Sequence, residues 1–354
     1  MINLATLLFF TANGIAIVAI PPYLRDLGVR SESVIGAIVS TAFFVSIIMR
    51  PISGVLGDRI GYTTLMRAGA ASAVAAQAMY LVGDPFWVQV GRLFHGLAIA
   101  TFLPMSVAAS VAEGPKAMAA RSLAVGVGNV LGPLLGSALY DIGGARLSFI
   151  TALGLHASNF ALVRGGDKAH GVGEPGTGIE RRVFLFMALL SLYGAAYMGI
   201  STFIPVKLRD NNLPIAYWGL FSSSAALVSL LPRAFLLKKG LVTPTTAGAA
   251  TAVAALGMAA ATFADGPLLF VAAGAIYGLG QGAVVVTYQI LALAGSKRAG
   301  VSSSVYTMGW DVGSIIGPVL GGWLVENFGL AALHYTPLLL AANVAVLFLY
   351  ARRK

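Results

Sequence analysis

Runs of about twenty apolar residues recur along this chain, and a run of that length is what an α-helix needs to cross the hydrocarbon core of a bilayer. Twelve are read, at roughly 2–24, 33–56, 62–82, 85–111, 119–141, 146–164, 183–206, 214–237, 243–263, 267–293, 299–324 and 331–351. Only 10% of the 354 residues are charged, against roughly 25% in a soluble globular protein. Mean hydropathy is +0.84. The expected fold class is therefore an all-α integral membrane protein with the lipid bilayer as its surroundings. Met1-Ile2-Asn3 runs straight into the first apolar segment without a basic stretch, so that segment reads as a retained span and not a cleaved signal.

The net charge is +10, and its placement decides what it means. With the N-terminus inside, the inner loops and helix ends hold Arg59, Arg67, Lys116, Arg121, Arg164, Lys168, Arg181, Arg182, Lys238, Lys239, Lys297, Arg298, Arg352, Arg353 and Lys354. The outer ones hold Arg25, Arg30, Arg146, Lys207 and Arg209. Basic residues concentrate in cytoplasmic loops. The split places both termini in the cytoplasm and the protein, multi-pass, in the cell membrane, and it removes the need for a nucleic-acid partner. There are no cysteines, which excludes disulfides and thiolate metal sites. The loops are short except 165–182, whose six glycines, one proline and mixed charges read as a flexible cytoplasmic linker.

The two halves repeat. Ile20-Pro21-Pro22-Tyr23-Leu24-Arg25-Asp26 returns as Ile204-Pro205-Val206-Lys207-Leu208-Arg209-Asp210, 184 residues on. Gly36 and Arg50 return as Gly219 and Arg233, 183 on. The pattern G-x-x-x-G-P-x-x-G occurs as Gly128, Gly132, Pro133, Gly136 and as Gly313, Gly317, Pro318, Gly321, 185 on. Three matches in order at nearly one offset indicate a duplicated unit of six spans. An even number of spans per unit makes the halves parallel. The expected organisation is an N-terminal six-helix bundle over 1–164, the linker 165–182 and a C-terminal six-helix bundle over 183–354.

The turn Gly54-Val55-Leu56-Gly57-Asp58-Arg59-Ile60-Gly61, between spans two and three, resembles the loop motif G-x-L-x-D-R-x-G of the major facilitator superfamily. That family's following basic pair is replaced by Tyr62-Thr63-Thr64. In span four, Arg92-Leu93-Phe94-His95-Gly96 resembles the family's R-x-x-x-G signature. The glycine-proline stretch of span five resembles the motif of its solute:proton antiporters, with Ser137 in place of a final glycine. The resemblance implies two six-helix bundles rocking about a central site, with access alternating between the membrane faces. It implies that spans 1, 4, 7 and 10 line the cavity and that spans 2, 5, 8 and 11 form the interface between halves.

A charge at mid-bilayer costs roughly 2.5–3.5 kcal/mol on insertion scales, so buried ionisable groups are the first candidates for chemistry. Asp311 is the only acid placed deep in a span. Ser303, Thr307, Asp311 and Ser314 share a helical face, so the acid lies on a polar stripe. It reads either as a site for a proton or a cationic solute or as a structural ion pair or helix cap beside Gly313. Arg92 reads as an anchor for an anion or a modulator of a nearby acid, against simple snorkelling to the surface. His95, on the same face as Gln89 and Arg92, reads as a group titrating near neutral pH or as a packing residue. Arg50 and Arg233, near the cytoplasmic ends of their spans, read as gating or structural residues. Tyr193 and Tyr197, Tyr277 and Gln281 with Tyr288, and Asn13 line the cavity by family position, against ordinary interhelical hydrogen bonding. The paired glycines let helices approach closely, and Pro133 and Pro318 bend them.

The reading that follows is a secondary transporter of a small solute, proton-coupled and exporting. The alternative is an importer or uniporter of a neutral or anionic metabolite anchored by Arg92. A multispan membrane enzyme would need an acidic metal-binding loop, and single acids such as Asp84 and Asp265 do not make one. No phosphate loop or nucleotide domain is read, and no metal or other cofactor is expected. A monomer is expected. Asp58 and Arg59, flanked by Gly54 and Gly61, are expected to stabilise the outward-facing state by holding span two against the inner end of span eleven without touching solute.

Overall fold

The computed structural model describes residues 1–164, 179–295 and 299–352. Residues 165–178 of the expected linker, with Lys168, lie outside the described residues, as do Lys297, Arg298, Arg353 and Lys354 of the charge count. The elements are α1 (Ile2–Asp26), α2 (Glu32–Ile60), α3 (Tyr62–Tyr80), α4 (Pro85–Glu113), α5 (Pro115–Leu162), α6 (Arg181–Asp210), α7 (Ala216–Val228), α8 (Leu230–Lys239), α9 (Pro244–Phe263), α10 (Pro267–Leu293), α11 (Ala299–Phe328), a 3₁₀ segment (Leu330–Leu338) and α12 (Leu339–Arg352). Nine stretches among the described residues are long and apolar enough to cross a membrane.

Local chemistry explains where these helices start and break. Proline opens α4, α9 and α10, where its missing N–H costs nothing. Asp84 caps α4 by accepting from the Phe86 N–H at 2.9 Å. Thr243 and Thr246 form a reciprocal capping box on α9. Helix α5 carries non-helical dihedrals at Gly143 and Gly144, the latter with φ 67°. The Ser148 hydroxyl donates to the Gly136 carbonyl at 3.0 Å across that break. Twelve residues of straight helix would span about 18 Å, so α5 is two arms folded back on each other. They correspond to the runs at 119–141 and 146–164. The single run at 214–237 divides at Ser229 into α7 and α8, because Pro232 has no N–H to offer the Val228 carbonyl.

One expectation is corrected. Gly54–Gly61 is not a glycine-punctuated turn: α2 continues to Ile60, and only Gly61, at φ 95°, leaves the helix. A β-carbon on Gly54 would meet nothing within 4 Å, so no close approach there requires a glycine. Asp58 and Arg59 therefore sit on the last turn of a helix, and Asp58 accepts from the Tyr62 hydroxyl at 3.0 Å, one turn on.

The chain divides into two compact units, Met1–Arg30 with Ala37–Glu174 and Pro214–Gly219, and Ser31–Gly36 with Pro175–Leu213 and Leu220–Lys354. In the first, α1 packs along α5 and α3 along α4. In the second, α6 packs along α11 and α9 along α10. These are the same pairings in the numbering of the repeat. Phe9, stacked on Phe102 at 4.0 Å, anchors the core of the first unit with Leu65, Met66 and Met105. Outward, Leu268 is 83% exposed, and Leu123, Leu231 and Phe263 are also exposed. Apolar exposure on that scale is a surface for lipid, not water.

Candidate functional site

Each unit encloses its own polar cluster, and the sequence-selected residues divide between them. In the first unit, α4 brings Arg92 and His95 to one buried face, at 1% and 0% exposure. The His95 Nε2 lies 2.6 Å from the Asn13 Oδ1 on α1. Its Nδ1 lies 3.0 Å from the Tyr80 hydroxyl on α3 and 3.3 Å from the Arg92 Nη1. An arginine nitrogen only donates, so Nδ1 accepts and Nε2 carries the hydrogen given to Asn13. This arrangement uses the neutral ring, one nitrogen donating and the other accepting. Of the two readings of His95, a titrating group or a packing residue, this geometry is that of a hydrogen-bonded packing residue, with both ring nitrogens engaged.

Arg92 turns its remaining donors to backbone. Its Nε reaches the Ile38 carbonyl at 3.4 Å and its Nη2 the Val39 carbonyl, both on α2. The Phe43 ring lies 5.8 Å below the guanidinium. The guanidinium is thus buried among neutral groups, and no carboxylate among the described residues meets it. Gln89 turns away to the Thr41 hydroxyl at 2.9 Å.

In the second unit the aromatic candidates form one stack. Tyr197 and Tyr277 lie ring on ring at 5.3 Å, with Tyr193 at 6.4 Å and Phe221 at 5.5 Å from Tyr277. Trp310 continues the wall, 6.0 Å from Tyr197. Asp311 follows it on α11 and is 1% exposed. Gln281 faces the Arg233 guanidinium on α8 at 3.5 Å. Tyr288, grouped with Tyr277 by helical spacing, instead bonds the Thr251 hydroxyl at 2.8 Å in the core of α9 and α10. The polar stripe on α11 also divides: Ser314 is spent on the Trp310 carbonyl at 2.8 Å, and Thr307 is exposed.

The glycine rows seat one helix on another. A β-carbon on Gly128 would lie 2.7 Å from Phe10 Cβ, on Gly132 2.8 Å from the Thr11 carbonyl oxygen, and on Gly136 2.6 Å from Ile15 Cα, all on α1. In the second unit Gly313 and Gly317 meet α6 backbone at Ser191 and Ala195, and Gly321 meets Gly199. These rows therefore close α5 on α1 and α11 on α6, inside each unit. Arg50, on α2, accepts through its carbonyl from the Ser53 hydroxyl at 2.9 Å.

Sequence reasoning missed Tyr80, Phe221 and Trp310. Tyr80 joins the cluster from another helix, and no spacing within α3 announces it. Trp310 was adjacent to Asp311 and thus findable.

The sequence profile of the Major Facilitator Superfamily matches residues 2–317. The multi-drug resistance efflux pump PmrA of Streptococcus pneumoniae is 24% identical over 366 residues, covering 94% of this chain and 91% of the pump. The quinolone resistance protein NorA of Staphylococcus aureus is 26% identical over 211 residues, 55% of this chain and 54% of that protein. The crystal structure of the nucleoside transporter NupG superposes with a TM-score of 0.71 at 15% identity, over 99% of this chain and 97% of that one. Repeated helix pairings, glycine-seated crossings and a family match across nearly the whole sequence agree: the chain belongs to the Major Facilitator Superfamily.

Proposed function

We propose that this protein is a proton-coupled exporter of amphipathic, cationic solutes, working by alternating access. The observation that carries the reading is Asp311, an acid 1% exposed that follows Trp310 on α11, whose ring lies 6.0 Å from that of Tyr197, itself stacked on Tyr277. A buried carboxylate is tolerated only when protonated or paired. Proton and cation are then alternative occupants of one charge site, which is the minimal requirement for exchange. Aromatic faces attract cations and accept apolar bodies. The similarity to a protein described as a multi-drug resistance efflux pump supports export.

In this reading the chain forms twelve spans as two parallel six-helix bundles, 1–164 and 183–354, joined by the linker and working as a monomer with both termini in the cytoplasm. The repeat and the basic-residue asymmetry support it. Asp58 and Arg59 act in gating together with Arg50 and Arg233. The test is reconstitution in liposomes with imposed pH gradients of either sign, using a fluorescent amphipathic cation such as ethidium. Cation movement reversing with the gradient supports the reading, and movement indifferent to it sinks the proton-coupled version. A second reading, transport of an anionic or neutral metabolite, is favoured by Arg92, a buried cation whose partners are all neutral. Solute uptake lost in Arg92→Gln and retained in Asp311→Asn would select it.

A further inference from the structure

Asp141 and Glu326 stand 185 residues apart, the offset that relates the two glycine-proline stretches. Neither belongs to the solute or gating residues above. In the first unit, Asp141 Oδ1 accepts from the Ile215 N–H and Oδ2 from the Ala216 N–H, both at 2.8 Å, at the start of α7. In the second unit, Glu326 Oε2 accepts from the Ser33 N–H at 3.2 Å at the start of α2. The Ser31 and Ser33 hydroxyls also bond this carboxylate. Ala216 stands 183 residues after Ser33, the offset that relates Gly36 to Gly219.

The residues themselves have drifted. One half uses aspartate and the other glutamate, and the held turns read Pro214-Ile215-Ala216 and Ser31-Glu32-Ser33. What persists is the chemistry, a carboxylate on the free N–H groups and positive end of a helix. Further along each helix, a β-carbon on Gly36 would strike the Pro318 carbonyl, and one on Gly219 would lie 2.9 Å from the Pro133 carbonyl oxygen. The first crossing is backbone against backbone, and the second also admits the Ser137 side chain, whose hydroxyl a β-carbon on Gly219 would strike. Helix α2 enters the second unit only through its first residues, Ser31–Gly36, and α7 enters the first only through Pro214–Gly219.

We propose that Asp141 and Glu326 are twin positioning residues of the transport cycle: each latches the first turn of a helix whose remainder belongs to the other unit, and the two release in one event. Both carboxylates are exposed, so each biases the closed arrangement by only about two- to fivefold. Such a bias is enough to set a waiting time and small enough to be broken in every cycle. The inference rests on the alternating-access reading, but its test needs no solute.

Hydrogen exchange of the full chain in lipid nanodiscs, read at residue 33 and at residues 215 and 216, compares wild type with Asp141→Asn and Glu326→Gln. Each neutral variant is expected to speed exchange about two- to fivefold at its own helix start and also at the other. Asp141→Glu and Glu326→Asp should keep wild-type rates. Should a neutral variant fail to fold, Ser33→Pro removes two of the three donors to Glu326, the N–H and the hydroxyl, in a first helical turn where proline is tolerated, and faster exchange at 215 and 216 is again the expected result. Changes confined to the substituted helix start would make these independent caps and overturn the proposal, as would unchanged exchange at both. Coupled exchange in a protein that moves no cation would keep the latches and sink only the transport reading.

Discussion

Gly132 and Gly126 lie on the same arm of α5 and should respond differently to the same substitution. A β-carbon at Gly132 would lie 2.8 Å from the Thr11 carbonyl oxygen, 2.9 Å from Gly14 Cα and 3.2 Å from the Phe10 carbonyl oxygen. All three are backbone atoms, so no rotamer change relieves the overlap. Restoring ordinary contact at about 3.5 Å requires α1 and α5 to part by roughly 0.7 Å. A gap of that size forfeits about a quarter to a half of each neighbouring contact, including those at Gly128 and Gly136. Overpacking of this kind costs about 1–3 kcal/mol. In water, alanine would recover about 1 kcal/mol through helix propensity. A span left in the bilayer stays helical when its packing is lost, so most of that gain is absent here. At Gly126 nothing lies within 4 Å, and alanine should be neutral to within about 0.5 kcal/mol. At about 2–4 °C per kcal/mol, Gly132→Ala should lower the apparent unfolding midpoint by several degrees and Gly126→Ala should leave it in place. Thermal unfolding of the purified proteins in one detergent makes the comparison. Equal midpoints for the two variants would refute the backbone-contact account of the glycine row.

Three further outcomes are expected. Glu326 lies beyond the apolar run of span eleven, and its bonds from Ser33 and Ser31 hold its carboxyl below the ordinary glutamate value. A depressed carboxylate stabilises above its unfolded value and loses that contribution as pH falls through the folded one. The stability difference between wild type and Glu326→Gln should therefore be present at neutral pH and shrink in acid; a difference constant with pH would contradict it. His95→Leu leaves Asn13, Tyr80 and Arg92 short of a buried partner and should cost about 2–4 kcal/mol. His95→Gln, which keeps a donor and an acceptor, should cost less, and thermal unfolding that ranks them the other way would exclude the hydrogen-bond account. Asp58→Asn should change the transport rate and leave the ranking of competing solutes alone; a changed ranking would place Asp58 in contact with solute.

The sequence exposed those features that one segment carries by itself. A span shows in twenty apolar residues, and the break at Gly143-Gly144 shows because two such runs lie too close for one straight helix. The duplication shows because its offset repeats. Features made by two helices were hidden: Tyr80 reaches His95 from α3, and Phe221 reaches Tyr277 from α7, with no spacing to signal either. The Gly54–Gly61 stretch misled for a different reason. Glycine permits a turn without imposing one, and α2 runs through Gly54 and Gly57 because its neighbours still favour helix. Asp141 and Glu326 lay within reach, since carrying the glycine-proline offset five residues past Gly136 and Gly321 finds them.

The central claim is that Asp311 exchanges a proton for a cationic solute. Asp311→Asn keeps the shape and removes the charge. In liposomes with an imposed pH gradient, wild type should accumulate ethidium against its concentration gradient, and Asp311→Asn should lose accumulation while still folding to a monodisperse protein. Full proton-driven accumulation by Asp311→Asn would contradict the account.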